Sequence, residues 1–278
     1  MRKETFLECC LRKIKGQRLQ ADTIPFQRHI FAFGLYKKFK NLTHRVSLIE
    51  AAMCDPKGLG GFNLKLDNAH VQKQYYDIFY TLYCNNVETK MGGGGQQAHE
   101  RPVCIDCGAH AGLISDILLD CGAIVHAFEP NRTLFPFLKA KYENNPNITL
   151  NQAAVSNKDG VTNFLISDST SQGNRISEVG DINGLRQATY QVKVVDLVAY
   201  IHNEILSKHD RIYLLKLDVE GAEFDIMEKI MQHKLYEKID YIACETHARF
   251  FEDGEERLAK LRELITKAGA SNILLDWI

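Results

Sequence analysis

Residues 103–112 read Val-Cys-Ile-Asp-Cys-Gly-Ala-His-Ala-Gly, and the architecture of the chain can be worked out from this point. An apolar strand pattern ends at Asp106, and the glycines that follow predict a tight turn at Gly108 and the start of a helix at Gly112. A second apolar strand pattern ends at Glu129, 23 residues after Asp106. This order predicts a parallel βαβ unit whose carboxyl strand ends lie side by side.

The pattern of the first unit continues along the chain. Strand and helix signals alternate after residue 98, which predicts an α/β fold with a mostly parallel sheet and helices on both faces. A polar segment at 168–188 predicts a loop that closes over a site. The predicted strands are 103–106, 124–128, 148–154, 164–167, 191–195, 212–218, 241–245 and 272–277, and the predicted helices are about 112–121, 132–144, 196–207, 222–233 and 254–268.

The residues before this unit have a different character. Their apolar periodicity is helical, as in the stripe of Tyr75, Phe79 and Leu82, and the run GGGGQQ at 92–97 predicts a linker. We therefore expect a helical, basic N-terminal region over 1–98 and a second domain over 99–278. Residues 1–45 hold 11 Lys and Arg against 3 Asp and Glu, which indicates either a solvated basic face that packs against an acidic partner domain or a patch that attracts an anionic substrate or surface.

Composition excludes several classes of protein. No apolar run of about 18 residues is present, so no membrane span is expected, and the charged N-terminus lacks the apolar core of a secretory signal. We expect a cytoplasmic protein with reduced cysteines, and no nucleic-acid partner because no recognition motif accompanies the basic residues. Cys104 and Cys107 form a C-x-x-C, which indicates half a zinc site, a redox pair or, as we favour, two buried residues of a strand.

The glycine turn and Glu129 together predict a nucleoside site. In such sites the turn admits the cofactor and a carboxylate at the end of the second strand accepts the ribose hydroxyls. A dinucleotide fingerprint requires a second glycine where the chain approaches the pyrophosphate, and this sequence has His110 there. S-adenosylmethionine carries no phosphate, so we favour it as the cofactor over a nicotinamide dinucleotide. The nicotinamide alternative would make the chain an oxidoreductase.

Four ordered motifs carry a family resemblance. The segments 106–112 (DCGAHAG), 127–131 (AFEPN), 153–156 (AAVS) and 215–223 (LKLDVEGAE) resemble the FkbM-type S-adenosylmethionine-dependent methyltransferases. The resemblance implies a Rossmann-like methyltransferase fold and O-methyl transfer to a hydroxyl of a sugar, glycan precursor or natural product. The sequence departs from the family at Cys107, where an aliphatic residue is commoner, and at His110, where Asn is frequent.

The resemblance also implies a set of cofactor-binding residues. Glu129 would bind the ribose, Pro130 and Asn131 would shape the adenosine edge, and Ala154 and Val155 would flank the adenine. The residues expected on the methionine side are Asp106, Gly108, Ala109, His110 and Gly112.

Methyl transfer to a hydroxyl benefits from a general base, which we expect at the carboxyl end of a strand. Asp218 and Glu220 follow one predicted strand, and Glu245 and His247 follow the next. We predict Asp218, Glu245 and His247 as catalytic residues, whereas Glu220 has the alternative role of favouring a helix N-terminus. The same three residues offer ligands for a divalent metal, which is possible but not predicted. A catalytically silent scaffold that binds S-adenosylmethionine remains an alternative.

Overall fold

The computed structural model describes residues 62, 66, 73–90, 100–166, 175–176 and 188–277. Its helices are α1 (Lys73–Lys90), α2 (Leu113–Asp120), α3 (Phe135–Tyr142), α4 (Leu197–Tyr200), α5 (Glu223–Gln232) and α6 (Gly254–Ala268), and α4 continues as a π-helical turn over Ile201–Ile205. Its strands are β1 (Val103–Cys107), β2 (Ile124–Phe128), β3 (Ile148–Asn151), β4 (Ala154–Ser156), β5 (Gly160–Ile166), β6 (Arg175–Ile176), β7 (Ala188–Asp196), β8 (Ile212–Leu217), β9 (Ile239–Cys244) and β10 (Ile273–Leu274).

A six-stranded parallel sheet forms the centre of the fold, in the order β10-β9-β8-β1-β2-β3. The predicted Rossmann-like α/β architecture is therefore confirmed. The direction of the strand order reverses at β1, so the crevice for a ligand is expected above β1 and its neighbours. The register aligns Cys107 with Phe128 and Leu217, and Leu217 with Cys244. The residues that directly follow β1, β2, β8 and β9 consequently lie in one row at the carboxyl edge of the sheet.

One predicted strand is divided in the structure between the central sheet and a smaller second sheet. The sequence pattern predicts a single strand over 148–154, but β3 ends at Asn151 and β4 joins a second sheet of order β4-β7-β5-β6. The break arises because the amide of Ala153 donates to the carbonyl of Asn151 at 3.0 Å, which turns the chain. The last predicted strand, 272–277, is also shorter than expected, since only Ile273 and Leu274 pair with β9.

The two cysteines of the C-x-x-C are core residues. Successive side chains of a strand point to opposite faces, so residues three apart do so as well. Cys104 and Cys107 are fully buried in separate apolar clusters, and burial raises the pKa of both thiols. Both are free thiols. The interpretation of Cys104 and Cys107 as buried strand residues is confirmed.

Helix α1 carries the predicted apolar stripe, and Tyr75, Phe79 and Leu82 are all buried. The ring of Tyr75 packs edge-on against Trp277 with 4.8 Å between centroids, and its hydroxyl donates to Asp276 at 2.7 Å. The helices expected before residue 62, the linker 92–97 and most of the loop 168–188 lie outside the described residues, so the domain division at residue 98 stays a prediction. Within the described part of the chain, no helix is long and apolar enough to cross a membrane.

Candidate active site

The turn after β1 is held against the strands on both sides. The amides of Gly108 and Ala109 both donate to the carbonyl of Phe128, at 3.0 and 2.9 Å. Gly108 has a φ of 79°, and a Cβ placed on it would lie 1.9 Å from the backbone oxygen of Asp218. Only glycine fits this position, because any side chain would overlap the backbone that follows β8. His110 also has a positive φ, of 49°.

Glu129, directly after β2, organises the turn through its carboxylate. One oxygen accepts from the amide of His110 at 2.7 Å, and the other accepts from the amide of Asn131 at 2.8 Å. The residue is 6% exposed, and burial raises its pKa to about 7 although both amides lower it. Each carboxylate oxygen has a second lone pair, so Glu129 can still accept hydroxyl groups from a ligand.

A cleft opens above this turn. Its empty space, counted together with the solvent that reaches into it, is about 670 Å³. The predicted cofactor residues on its wall are Gly108, His110, Glu129, Pro130, Asn131, Ala154 and Val155, and the other lining residues are Phe128, Leu134, Ala153, Phe164, Asp218, Val219 and Glu220.

Three predicted cofactor residues lie beneath the cleft rather than on its wall. Asp106 is fully buried and accepts a hydrogen bond of 2.6 Å from Ser115. Ala109 is 5% exposed in the apolar core. Gly112, with a φ of 78°, precedes α2 where a Cβ would lie 2.5 Å from the hydroxyl of Tyr142. These three positions support the turn, and a direct contact with a cofactor stays a prediction for them.

Lys216 was quoted in the family motif without a role, and the structure gives it one. Its ammonium group donates to the carbonyls of Cys107 and Gly108 at 3.2 and 2.9 Å. It also lies 3.4 Å from the carboxylate of Asp106 and 3.3 Å from that of Asp218. Burial lowers the pKa of Lys216, but the two carboxylates raise it by a larger amount, so the net shift of the pKa is upward. The sequence signal was a lysine inside an otherwise apolar strand, which requires anionic partners when buried.

An acidic cluster, which we define as the carboxylates of Asp218, Glu220 and Glu245 around His247, follows β8 and β9. His247 is fully buried, and its Nε2 lies 3.2 Å from Oε2 of Glu220 and 3.3 Å from Oε1 of Glu245. Burial lowers the pKa of His247, but its carboxylate partners, Glu220 and Glu223, outweigh that effect and raise it to about 10. The structure therefore brings together all three predicted catalytic residues.

Glu223 lies in the first turn of the predicted helix 222–233, and no further role was predicted for it from the sequence. In the structure it is buried and holds His247 in place. Its carboxylate accepts from the amides of Val219 and Gly221 at 2.9 and 2.7 Å, and its Oε1 lies 2.8 Å from Nδ1 of His247. Glu220 adopts a φ of 58°, which is uncommon for a residue other than glycine. No sequence signal predicted this backbone conformation.

Asp218 and Glu245 are the partly exposed members of the cluster, with 28% and 21% of their side chains accessible. Asp218 lines the cleft. Burial and the negative charge of Asp218 raise the pKa of Glu245 to about 7. The cleft above Glu129 and a carboxylate with a pKa of about 7 thus share one edge of the sheet.

Comparison with known proteins agrees with the fold and the motifs. The family model described as the methyltransferase FkbM domain matches residues 106–271, which is more than half of the chain and includes every site residue discussed above. No curated protein sequence matches the chain. The chain belongs to the FkbM methyltransferase family.

Proposed function

We propose that this methyltransferase uses S-adenosylmethionine to methylate a hydroxyl group of a small acceptor. The observation that carries the proposal is the meeting of two features at one sheet edge. Glu129 presents a carboxylate to the wall of a cleft of about 670 Å³, and Asp218 lines the same cleft. The carboxylate of Glu129 suits the ribose of the donor, and that of Asp218 suits the hydroxyl of an acceptor.

The wall of the cleft supports the choice of donor. Glu129 has lone pairs for the two ribose hydroxyls, and Ala154 and Val155 offer small apolar contacts for the adenine. His110 occupies the position where dinucleotide sites keep a glycine, and it lines the cleft. A pyrophosphate would be crowded there, whereas the methionine part of S-adenosylmethionine makes no such demand.

The reaction is an in-line displacement. The acceptor oxygen attacks the methyl carbon, the carbon–sulfur bond breaks with its electron pair passing to sulfur, and S-adenosylhomocysteine leaves. Correct placement of the two reactants supplies up to about 7–11 kcal/mol in favourable models. Glu245 accepts the hydroxyl proton, because a pKa of about 7 suits a base at neutral pH. Asp218 orients the hydroxyl, and His247 holds Glu245.

The acceptor class is proposed from the sequence. Family resemblance favours a sugar, a glycan precursor or a natural product. The excess of 11 basic over 3 acidic residues in 1–45 favours an anionic acceptor such as a phosphorylated or nucleotide-linked sugar. That basic segment lies outside the described residues, so its link to the acceptor stays a prediction made from charge.

Calorimetry with S-adenosylhomocysteine and a labelled-donor assay test the proposal together. We expect the protein to bind the product, and we expect mass spectrometry of a metabolite pool to show one added methyl group. Glu129→Gln should weaken binding about 10–100-fold, since a hydrogen bond to a charged group contributes about 1.5–3 kcal/mol. The exposed Glu143 provides the control, and Glu143→Gln should bind normally.

Each failure has a separate meaning. Absence of binding to both S-adenosylmethionine and its product would overturn the proposal, and tight binding of NAD would replace it with the oxidoreductase. Normal binding without methylation of any acceptor, together with a cellular phenotype that Asp218→Asn leaves intact, would indicate the silent scaffold.

A further inference from the structure

Three side chains with metal-binding atoms meet where β8 and β9 end. One such atom from each of Asp218, Glu220 and His247 lies within 4.8 Å of the other two. Nε2 of His247 and Oε2 of Glu220 lie 3.2 Å apart. Adjacent ligands of a tetrahedral or octahedral ion with bonds of about 2.0–2.2 Å stand about 2.8–3.6 Å apart. This pair therefore has the separation of two ligands on one cation.

These two atoms also have no hydrogen-bond partner among the described residues. Both atoms are buried, and the His247 side chain is completely inaccessible. Buried polar atoms are nearly always paired, so an exception calls for a missing partner. The approach of 3.2 Å is an ion pair that lacks the direction of a hydrogen bond, and a cation bound here would take the place of the proton on Nε2.

The other nitrogen of His247 determines what Nε2 offers. Nδ1 lies 2.8 Å from Oε1 of Glu223, and a carboxylate can only accept, so Nδ1 carries the hydrogen. Glu223 is itself fixed by the amides of Val219 and Gly221. A carboxylate that holds one ring nitrogen while the other faces a cluster of oxygens is the usual support of a metal-binding histidine.

The local charge is compatible with a bound cation. Arg249, which is 60% exposed, approaches Glu220 and Glu245 only to 3.9 Å. Lys216 is engaged by Asp106 and Asp218. The carboxylates around the cluster outnumber the cations even when His247 is counted as protonated; they are Asp106, Asp218, Glu220, Glu223 and Glu245 against Lys216, Arg249 and His247.

We infer that Asp218, Glu220 and His247 bind one divalent cation of the Mn²⁺ class. Two carboxylates and one imidazole form a mixed oxygen and nitrogen set, which suits Mn²⁺ better than Mg²⁺ or Ca²⁺, whose ligands are oxygens. This set differs from the one suggested by the sequence, in which Glu245 stood in place of Glu220. Glu245 stays available as a proton acceptor. Asp218 and Glu220 also line the cleft, so an acceptor hydroxyl could complete the coordination; that last role rests on the proposed function.

Electron paramagnetic resonance measures free Mn²⁺ directly and requires no enzymatic activity. The full-length protein, freed of metal by a chelator, should bind one Mn²⁺ per chain. Glu220→Gln should weaken this binding at least tenfold, because a charged ligand is replaced by a neutral amide. Glu223→Gln should also weaken it, through His247. Glu252→Gln, at an exposed carboxylate beyond the cluster, should bind as the unaltered protein does.

Two results would overturn the inference. One is the absence of Mn²⁺ binding at millimolar concentration in protein that still binds S-adenosylhomocysteine, which would leave His247 as a cation among carboxylates. The other is Mn²⁺ binding that Glu220→Gln does not weaken while circular dichroism shows an intact fold, which would place the ion elsewhere. Because product binding is measured on the same sample, failure of the metal site and failure of the donor site are distinguishable.

Discussion

The turn around Glu129 and the acidic cluster lie at the same edge of one sheet, yet their polar atoms are satisfied differently. Both oxygens of Glu129 accept backbone amides, from His110 and Asn131. In the acidic cluster, Oε2 of Glu220 and Nε2 of His247 have no hydrogen-bond partner among the described residues. The first region is organised by the backbone before any ligand arrives. The second contains two buried atoms that face each other at 3.2 Å as an ion pair without a hydrogen bond.

The largest effect should come from a change that breaks both regions at once. In Gly108→Ala, the new Cβ would meet the backbone oxygen of Asp218 at 1.9 Å at a φ of 79°. Neither backbone segment can yield without moving its strand, so we expect a loss of about 3–5 kcal/mol in the free energy of unfolding. Urea denaturation followed by circular dichroism measures it.

Gly160 is the matched position for this experiment. A Cβ there meets nothing within 4 Å among the described residues, and no positive φ is involved. Gly160→Ala should change the free energy of unfolding by less than about 0.5 kcal/mol. Equal destabilisation by the two substitutions would contradict the close packing between the Gly108 turn and the end of β8.

An intermediate effect should separate the two regions by their roles. Glu245→Gln removes the proposed proton acceptor but leaves the Glu129 turn untouched. We expect kcat to fall about 100-fold or more, since general-base catalysis typically contributes about 10²–10⁴-fold. The affinity for S-adenosylhomocysteine should stay unchanged. Steady-state kinetics and calorimetry on the same preparation provide both numbers, and a selective loss of product affinity would reverse the assignment.

The smallest effect should be a dependence of product affinity on pH. The pKa of Glu129 is raised to about 7, so the carboxyl is mostly protonated at pH 6 and mostly charged at pH 8. A carboxylate accepts the ribose hydroxyls better than a carboxylic acid, so affinity should increase severalfold from pH 6 to pH 8. In Glu129→Gln this increase should disappear, and an identical pH profile in the variant would contradict the role of Glu129.

The same raised pKa has a consequence for folding with a definite sign. Glu129 ionises near 4.5 when unfolded and near 7 when folded, so the folded chain binds its proton more tightly. Its contribution to stability is complete below pH 4.5 and is lost as the pH rises through 7. A bound donor that favours the charged carboxylate would offset this loss.

Local patterns predicted the scaffold well because each depends on residues close in sequence. The bounds of β2 and of α6 agree with the predicted 124–128 and 254–268. The parallel order and the carboxyl-end location of Glu129 and Asp218 followed from the alternation of strands and helices. The break between β3 and β4 was missed, because Ala153 and Ala154 continue the apolar pattern while the chain changes sheet.

The acidic cluster was predicted in membership but not in arrangement. Asp218, Glu245 and His247 were expected together, and they lie together. The depth of His247, its pairing with Glu223 and the left-handed backbone of Glu220 depend on how β8 and β9 align in space. That alignment cannot be read from the spacing of charged residues. The ion pair of Lys216 with Asp106 could not be predicted for the same reason, because Asp106 lies on another strand and the pair depends on how β1 and β8 align.

The glycine at position 108 also has a consequence for how the two halves of the site affect each other. Because its bare backbone rests on the carbonyl of Asp218, the turn after β1 and the segment after β8 are in direct backbone contact. With donor and acceptor bound as proposed, we expect strand packing rather than a closing hinge to set the gap between the methyl group and the attacking oxygen. Binding of the donor should therefore restrict the motion of the acceptor site, and the reverse, so the affinities for donor and acceptor should be thermodynamically linked.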